Sequence, residues 1–361
     1  MGSRTVEFRR LVIPFSIRDN REMPSESEII RMIRSRSRRR CGPGVEVGIG
    51  DDAAVLKPDL GTDLLFCSDL SVEDIHFRTQ WATHELIGRK AMAATISDIA
   101  AMGGEPRFAL ASVALPRGWA MGLIEQLFSG MFGLADDLGF SLVGGDTTAS
   151  PGPIFIDTSA IGVCGRGRAI RRNNARPGDH VYVTGDLGGS GLGLTLLGQG
   201  FKLVDDSRPL DQLNSARQAA IMRHLAPAPR VQAGRMLGFE GLATAMIDIS
   251  DGLATDLGHI AEDSNCGAVI HGELIPLAQA LKDLSSTGME IDSVKMALQS
   301  GEEYELAFCS PADNVDRIRD LSETLELPIT RIGEIIREPG LYIEQDGQTV
   351  SLDTRGFEHQ I

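Results

Sequence analysis

The sequence predicts a mixed α/β fold (α+β, with mixed sheets) in two domains. Three observations lead there. From residue 45 onward, short apolar strand-like runs alternate with helical segments. A turn signal, Arg176-Pro177-Gly178-Asp179, reopens that pattern just after an alternating strand closes at Cys164-Gly165-Arg166-Gly167. The order of elements is not a plain strand–helix repeat, so the sheets are expected to be mixed rather than parallel. The chain has 361 residues, 42% of them apolar, enough for two cores.

Taken in order, residues 1–40 read as a basic arm: 1–24 lack periodicity, and a helical run over Glu28–Ile33 leads into Arg34-Ser35-Arg36-Ser37-Arg38-Arg39-Arg40. The first domain is expected over 41–165. It opens with strands ending at Cys67, then Thr83 caps a helix from about His84 to Met102 that Gly103-Gly104 stops. A strand over Phe108–Leu115, a helix over Met121–Leu138 and strands over Ser141–Val143 and Ile154–Val163 complete it. The second domain is expected over 166–361. It holds a strand at His180–Thr184, a helix after Ser190, a helix over Asp211–His224, a strand before Asp248 and a helix over Leu253–Asp263. A strand at Glu305–Cys309, a helix near Asn314–Thr324 and strands near Ile329 and Leu341 follow.

Charge narrows the function. The net charge is −15, yet residues 1–40 carry 11 Arg against 5 acidic residues, a balance of +6 that leaves −21 on the remainder. The body therefore lacks the basic footprint of a nucleic-acid binder. No run of about 18 apolar residues is present to span a membrane. Five cysteines (41, 67, 164, 266, 309) are scattered without a C-x-x-C pair, which suits a reducing cytoplasm.

Seven aspartates stand in short glycine- or serine-flanked runs: Gly50-Asp51-Asp52, Ser68-Asp69, Ser97-Asp98, Gly145-Asp146 and Asp248-Ile249-Ser250-Asp251. Several directly follow strand-like runs, and a strand end delivers its next side chain to the edge where sites form. Carboxylates gathered there repel one another unless cations lie between them. Oxygen-only ligands without His or Cys suit Mg²⁺ shared with phosphates. Each run also has a structural reading. Asp51-Asp52 could be an exposed pair after a turn, Asp146 the cap of a tight turn, and Asp251 the N-cap of the helix at Leu253. Asp98, set among alanines, needs either a cation or a hydrogen-bond network. Lys90 reads as a phosphate ligand or a solvent-facing lysine, and His76 as a site or a surface histidine.

Gly185-Asp186-Leu187-Gly188-Gly189-Ser190-Gly191-Leu192-Gly193 follows a strand and opens a helix, as phosphate loops do. Leu194 breaks the dinucleotide fingerprint, and no G-x-x-x-x-G-K-[ST] occurs.

Together these runs resemble the thiamine-monophosphate kinase family, within the superfamily of aminoimidazole-ribonucleotide synthetase-like ATP enzymes. The likeness runs from about Val45 to His359 and rests on an ordered set. Its members are Gly48-Ile49-Gly50-Asp51-Asp52-Ala53, Ser97 to Gly103, Gly144 to Thr148, Pro177 to Gly185, Asp248 to Leu253, Ser300 to Leu306 and Gly356-Phe357-Glu358-His359. The resemblance implies the two-domain architecture of that superfamily and a homodimer paired through the first-domain sheet. It also implies magnesium-dependent, direct in-line transfer of the ATP γ-phosphoryl group to thiamine monophosphate.

By the same resemblance, Asp52, Asp69, Asp98, Asp146, Asp248 and Asp251 hold magnesium, with Cys67 and Ser68 contributing. Gly145, Asp146, Arg172 and Ser250 border ATP; His76, Glu302 and Phe357 meet the thiamine phosphate. Two departures stand out. Cys67 replaces a usual serine, and a neutral thiol is a poor magnesium ligand, so its carbonyl is the expected donor. Glu303 replaces a common aspartate beside Tyr304. Other superfamily members, which act on different acceptors, and a non-catalytic nucleotide or metal sensor are the competing readings.

Overall fold

The computed structural model describes residues 61–201, 212–286 and 291–352, with short stretches at 45–47 and 55–56 and a few positions between 29 and 36. Asp51, Asp52, Phe357 and nearly all of the basic arm lie outside the described residues.

The mixed α/β prediction holds: besides a two-stranded pair, Val45–Val47 (β1) with Val55–Leu56 (β2), there are two larger sheets. The first has strand order β3-β6-β4-β5, from Thr62–Val72 (β3), Glu105–Pro116 (β4), Ser141–Ser150 (β5) and Phe155–Gly165 (β6). Its β4–β5 pair is parallel, and the other neighbours are antiparallel. Helices α1 (His84–Ala101) and α2 (Met121–Leu138) pair with each other and bury their apolar faces against this sheet. Thr83 caps α1 by accepting the Leu86 N–H at 3.3 Å, and left-handed Gly139 ends α2. The helices touch backbone to backbone: a Cβ at Gly88 would strike the Leu127 carbonyl, and one at Gly130 the Glu85 carbonyl. Ile29 and Ile33 are buried in the same core, and the Arg36 guanidinium donates to the Glu125 carbonyl and to Ser129 Oγ on α2.

The second sheet runs β13-β12-β9-β11-β7-β10-β8. Its strands are His180–Thr184 (β7), Ala245–Asp248 (β8), Gly267–His271 (β9), Leu306–Ser310 (β10), Ile329–Ile336 (β11), Gly340–Gln345 (β12) and Gln348–Ser351 (β13). Only β12–β9 is parallel among its pairs. Gly189–Gly198 (α3), Gln212–Leu225 (α4), Val231–Glu240 (α5) and Leu253–Asp263 (α6) precede the short Gln279–Ser285 (α7) and Ser293–Gln299 (α8), then Val315–Leu325 (α9). One face of this sheet, through Tyr182 and Phe308, joins the core of the first domain; the other packs under α6. The two sheets thereby bring α1 against β8, the contact on which the site is built.

Two expectations change. The turn expected at Gly144–Thr148 is the interior of β5, because β4 lies alongside with Ala111 opposite Gly145 and Ser112 opposite Asp146. Glycine is required at 145, where φ is 147° and a Cβ would strike the Ala111 carbonyl. The Gly185–Gly193 loop does start a helix, but its N-terminus is already filled. Glu303 Oε1 accepts the Ser190 N–H at 3.0 Å, so an internal carboxylate stands where a phosphate loop would hold its ligand.

Candidate active site

Strand alternation decides which side chains of β3 reach the site. Leu65, Cys67 and Asp69 share the face toward α1, whereas Leu64, Phe66, Ser68 and Leu70 point to the opposite face. Helix α1 contributes Lys90, Ala94, Ser97 and Asp98, which recur at helical spacing along one stripe. From the second domain, β8 ends at Asp248, and the following loop carries Ser250 and Asp251. Asp98, Asp248, Ser250, Asp251 and Arg172 line one cleft of about 530 Å³ together with Cys67. Ser97 Oγ donates to Asp248 Oδ2 at 2.7 Å and ties the two domains beside it.

The electrostatics are those of crowded carboxylates for which Arg172 is too little counter-charge. Burial, then Asp248 and Asp69, pushes Asp98 up to about 7. Asp248 is pushed up to about 6, chiefly by burial and with Asp69 adding to it. Asp69 is raised by burial above the ordinary carboxylate range, and its Oδ2 is buried without a hydrogen-bond partner. An orphaned carboxylate oxygen beside two reluctant carboxylates, with oxygen donors throughout, fits a hard divalent cation. The Cys67 thiol is pushed up by burial and by Asp98 and Asp69; it donates to the Thr95 carbonyl at 3.2 Å. It stays a neutral thiol in this setting, and a neutral thiol is a poor magnesium ligand.

The loop after β8 owes its shape to a residue the sequence reading missed. Asp256, buried in the first turn of α6, accepts the N–H groups of Ser250, Asp251 and Gly252 at 3.1 Å each. Asp251 is therefore not the N-cap; Gly252 occupies that place without a side-chain bond. Burial, then Asp248 and Asp251, pushes Asp256 up to about 8. Asp251, Asp256 and His259 present ligand atoms within 4.8 Å of one another on the cleft wall.

A smaller pocket of about 80 Å³ adjoins, lined by Asp69, His76, Lys90, Glu302 and Tyr304 among others. His76 Nδ1 accepts the Val72 N–H at 3.1 Å, which leaves the proton of the neutral ring on Nε2. Lys90 is buried rather than solvent-facing, and its ammonium meets Glu302 at 3.0 Å. Burial pushes Glu302 upward, but Lys90 and then His224 outweigh it and hold the carboxylate below its ordinary range.

Not every expected residue converges. Ser68 Oγ donates to Asp157 Oδ1 and accepts from Ser159 Oγ, both at 3.0 Å, on the sheet face away from the cleft. Its hydroxyl therefore does not join Asp69, because neighbours in a strand face opposite ways. Gly145 and Asp146 are exposed in β5 and do not line the cleft; Asp146 Oδ1 accepts the Thr147 N–H at 2.7 Å. Asp52 and Phe357 lie outside the described residues. Glu303 is a buried partner of Ser190 and Arg223 rather than a pocket wall.

The crowding predicts a pH effect. Asp98 and Asp256 hold protons near neutrality when folded and lose them near pH ~4 when unfolded. Such groups contribute stability below ~4 that is lost as pH rises through their folded values. His224, depressed to about 4 by burial and then Lys90, works oppositely but only below about pH 6.5. Between about pH 6.5 and 8 the thermal midpoint of metal-free protein is therefore expected to fall. Millimolar Mg²⁺ should recover most of that fall at pH 8. A flat or rising midpoint in calorimetry, with no Mg²⁺ response, would contradict the cluster.

Known proteins match the chain over both of its domains. Residues 50–164 match the family model of the AIR synthase related protein, N-terminal domain, and residues 176–346 that of the C-terminal domain. The chain is 35% identical over 317 residues to the thiamine-monophosphate kinase of Bacillus subtilis (strain 168), covering 87% of this chain and 94% of that protein. A crystal structure of thiamine-monophosphate kinase from Stenotrophomonas maltophilia K279a superposes with a TM-score of 0.78 at 37% identity, covering 89% of this chain and 96% of that one. A structure of AaThiL complexed with AMPPCP and TMP gives a TM-score of 0.72 at 27% identity, covering 96% and 100%. Matched across both domains and nearly the full length of its relatives, the chain belongs to the thiamine-monophosphate kinase family of AIR synthase related proteins.

Proposed function

We propose that the protein is an ATP:thiamine-phosphate phosphotransferase, moving the γ-phosphoryl group of ATP onto the phosphate of thiamine monophosphate to give thiamine diphosphate and ADP. One observation carries the reading. Asp69 lines the His76–Glu302 pocket, bears the orphaned oxygen, and stands close enough to Asp98 and Asp248 of the acidic cleft to raise both. A phosphate donor and a phosphate acceptor would thus be held on either side of one carboxylate cluster. The relative complexed with AMPPCP, an ATP analogue, and TMP supports that pairing.

Asp69, Asp98, Asp248 and Asp251 would hold magnesium, which when bound supplies counter-charge to the phosphates. Arg172, half exposed at the cleft wall, would orient the triphosphate, and Ser250 would donate to it. His76 Nε2–H would donate to the acceptor phosphate, and Glu302 would accept from a thiamine amine. The acceptor phosphate is already ionised at neutral pH, so no general base is required, and positioning of in-line groups carries the reaction.

The other face of the first sheet supports a homodimer: Leu64, Phe66 and Leu70 are 54–68% exposed side by side on β3. Cys67, Cys164, Cys266 and Cys309 are free thiols, which suits the cytoplasm. Among the described residues no helix is long and apolar enough to cross a membrane. A coupled ADP-release assay with thiamine monophosphate, thiamine and aminoimidazole precursors tests the reading. Turnover is expected only with thiamine monophosphate and Mg²⁺; its absence there sinks the proposal.

A further inference from the structure

Lys90 is buried in α1, yet it belongs to neither the acidic cleft nor the solvent. An ammonium has three donors, and here each has a partner. They reach the His76 carbonyl at 3.3 Å, His224 Nε2 at 3.2 Å and Glu302 Oε2 at 3.0 Å. His224 is neutral, so with Nε2 accepting from Lys90 its proton lies on Nδ1, 3.1 Å from Ser190 Oγ. Glu302 itself sits at φ 58°, a left-handed backbone that a glutamate adopts only when its surroundings hold it there. His76 and Glu302 come from different domains and form two walls of the small pocket.

We propose that Lys90 is a positioning residue of the acceptor site, tying the His76 wall to the Glu302 wall with His224 as its buried support. This rests on the functional reading above. Lys90 does not bind the donor phosphates, because its donors are spent on the protein. It fixes where the pocket ends and keeps the Glu302 carboxylate aimed at an acceptor bearing a hydrogen-bond donor. Removing the tie leaves the metal cleft intact but loosens recognition of the acceptor.

The test is steady-state kinetics and thermal unfolding of Lys90→Met, Glu302→Gln and the double variant. The expected result is a rise of about tenfold or more in the KM for thiamine monophosphate in each, with the KM for ATP within about twofold of wild type. The double variant should be no worse than either single one, and its thermal midpoint should exceed that of Lys90→Met, because it no longer leaves a half-buried carboxylate without its cation. Should Lys90→Met not fold, the double variant carries the same test. A wild-type acceptor KM in a folded variant lacking Lys90, equal rises for ATP and acceptor, or additive effects in the double variant would overturn the proposal. Wild-type protein that does not turn over thiamine monophosphate would instead overturn the functional reading, while the thermal cycle still reports whether the tie exists.

Discussion

Replacing Asp98 by asparagine is expected to lower turnover by about a hundredfold or more while leaving the fold intact. The side chain lies at the meeting point of β3, α1 and β8, where Asp69 and Asp248 both oppose its ionisation. Asparagine keeps the shape and one carbonyl oxygen but removes the charge that a bound cation and its phosphates require. The same change relieves repulsion in the metal-free protein, so the thermal midpoint should hold or rise at pH 8. Loss of activity and gain of stability together are the signature of a carboxylate retained for its ligand. Kinetics at saturating ATP and acceptor, paired with calorimetry without metal, make the measurement. Wild-type turnover in the variant would remove Asp98 from the metal set, and a large loss of stability would recast it as a structural residue.

The sequence made Asp98 legible because a carboxylate inside an alanine-rich helix is conspicuous in one dimension. The helix capped by Thr83 was equally plain, and α2 and α6 match their expected bounds. The helix Val231–Glu240, the strand Gly267–His271 and the two seven-residue helices went unread. They are short, and tertiary contact shapes them: α5 rests on α1 where Gly234 meets the Ala100 carbonyl. Which face of a strand a residue takes was visible only once β3 had a register, and that is why Ser68 parts from Asp69. Least legible were the cations. Lys90 finds Glu302 across 212 positions, and Arg223 finds Glu303 across 80, distances at which no local pattern operates. Asp256 carried a faint signal, an acid in the first turn of a helix, but not its reach back to three N–H groups.

That buried ion network supports the second expected result: Glu305→Ala should lower the unfolding free energy by about 3–5 kcal/mol. Glu305 is fully buried and satisfies four groups at once. Thr184 Oγ1 donates to Oε2 at 2.7 Å, Arg230 donates to Oε2 at 2.6 Å and to Oε1 at 2.5 Å, and Arg223 shares Oε1 with it. Alanine leaves two guanidinium groups facing each other, with Glu303 and the more distant Asp186 both on the Arg223 side, a like-charge contact in a medium that screens poorly. An exposed pair sets the contrast. Arg319–Asp316, at 61% and 78% exposure, should cost under about 1 kcal/mol when broken by Asp316→Asn. Denaturant unfolding of both variants reads the difference, and equal small losses would refute the buried hub. The consequence reaches the acceptor pocket, because Glu302 and Tyr304, at φ 58° and 53°, precede Glu305 on the same segment. Strained residues persist only where flanking anchors hold them. With Glu305 removed, the strain can relax, Glu302 turns from Lys90, and the KM for thiamine monophosphate should rise even in the fraction of protein that remains folded.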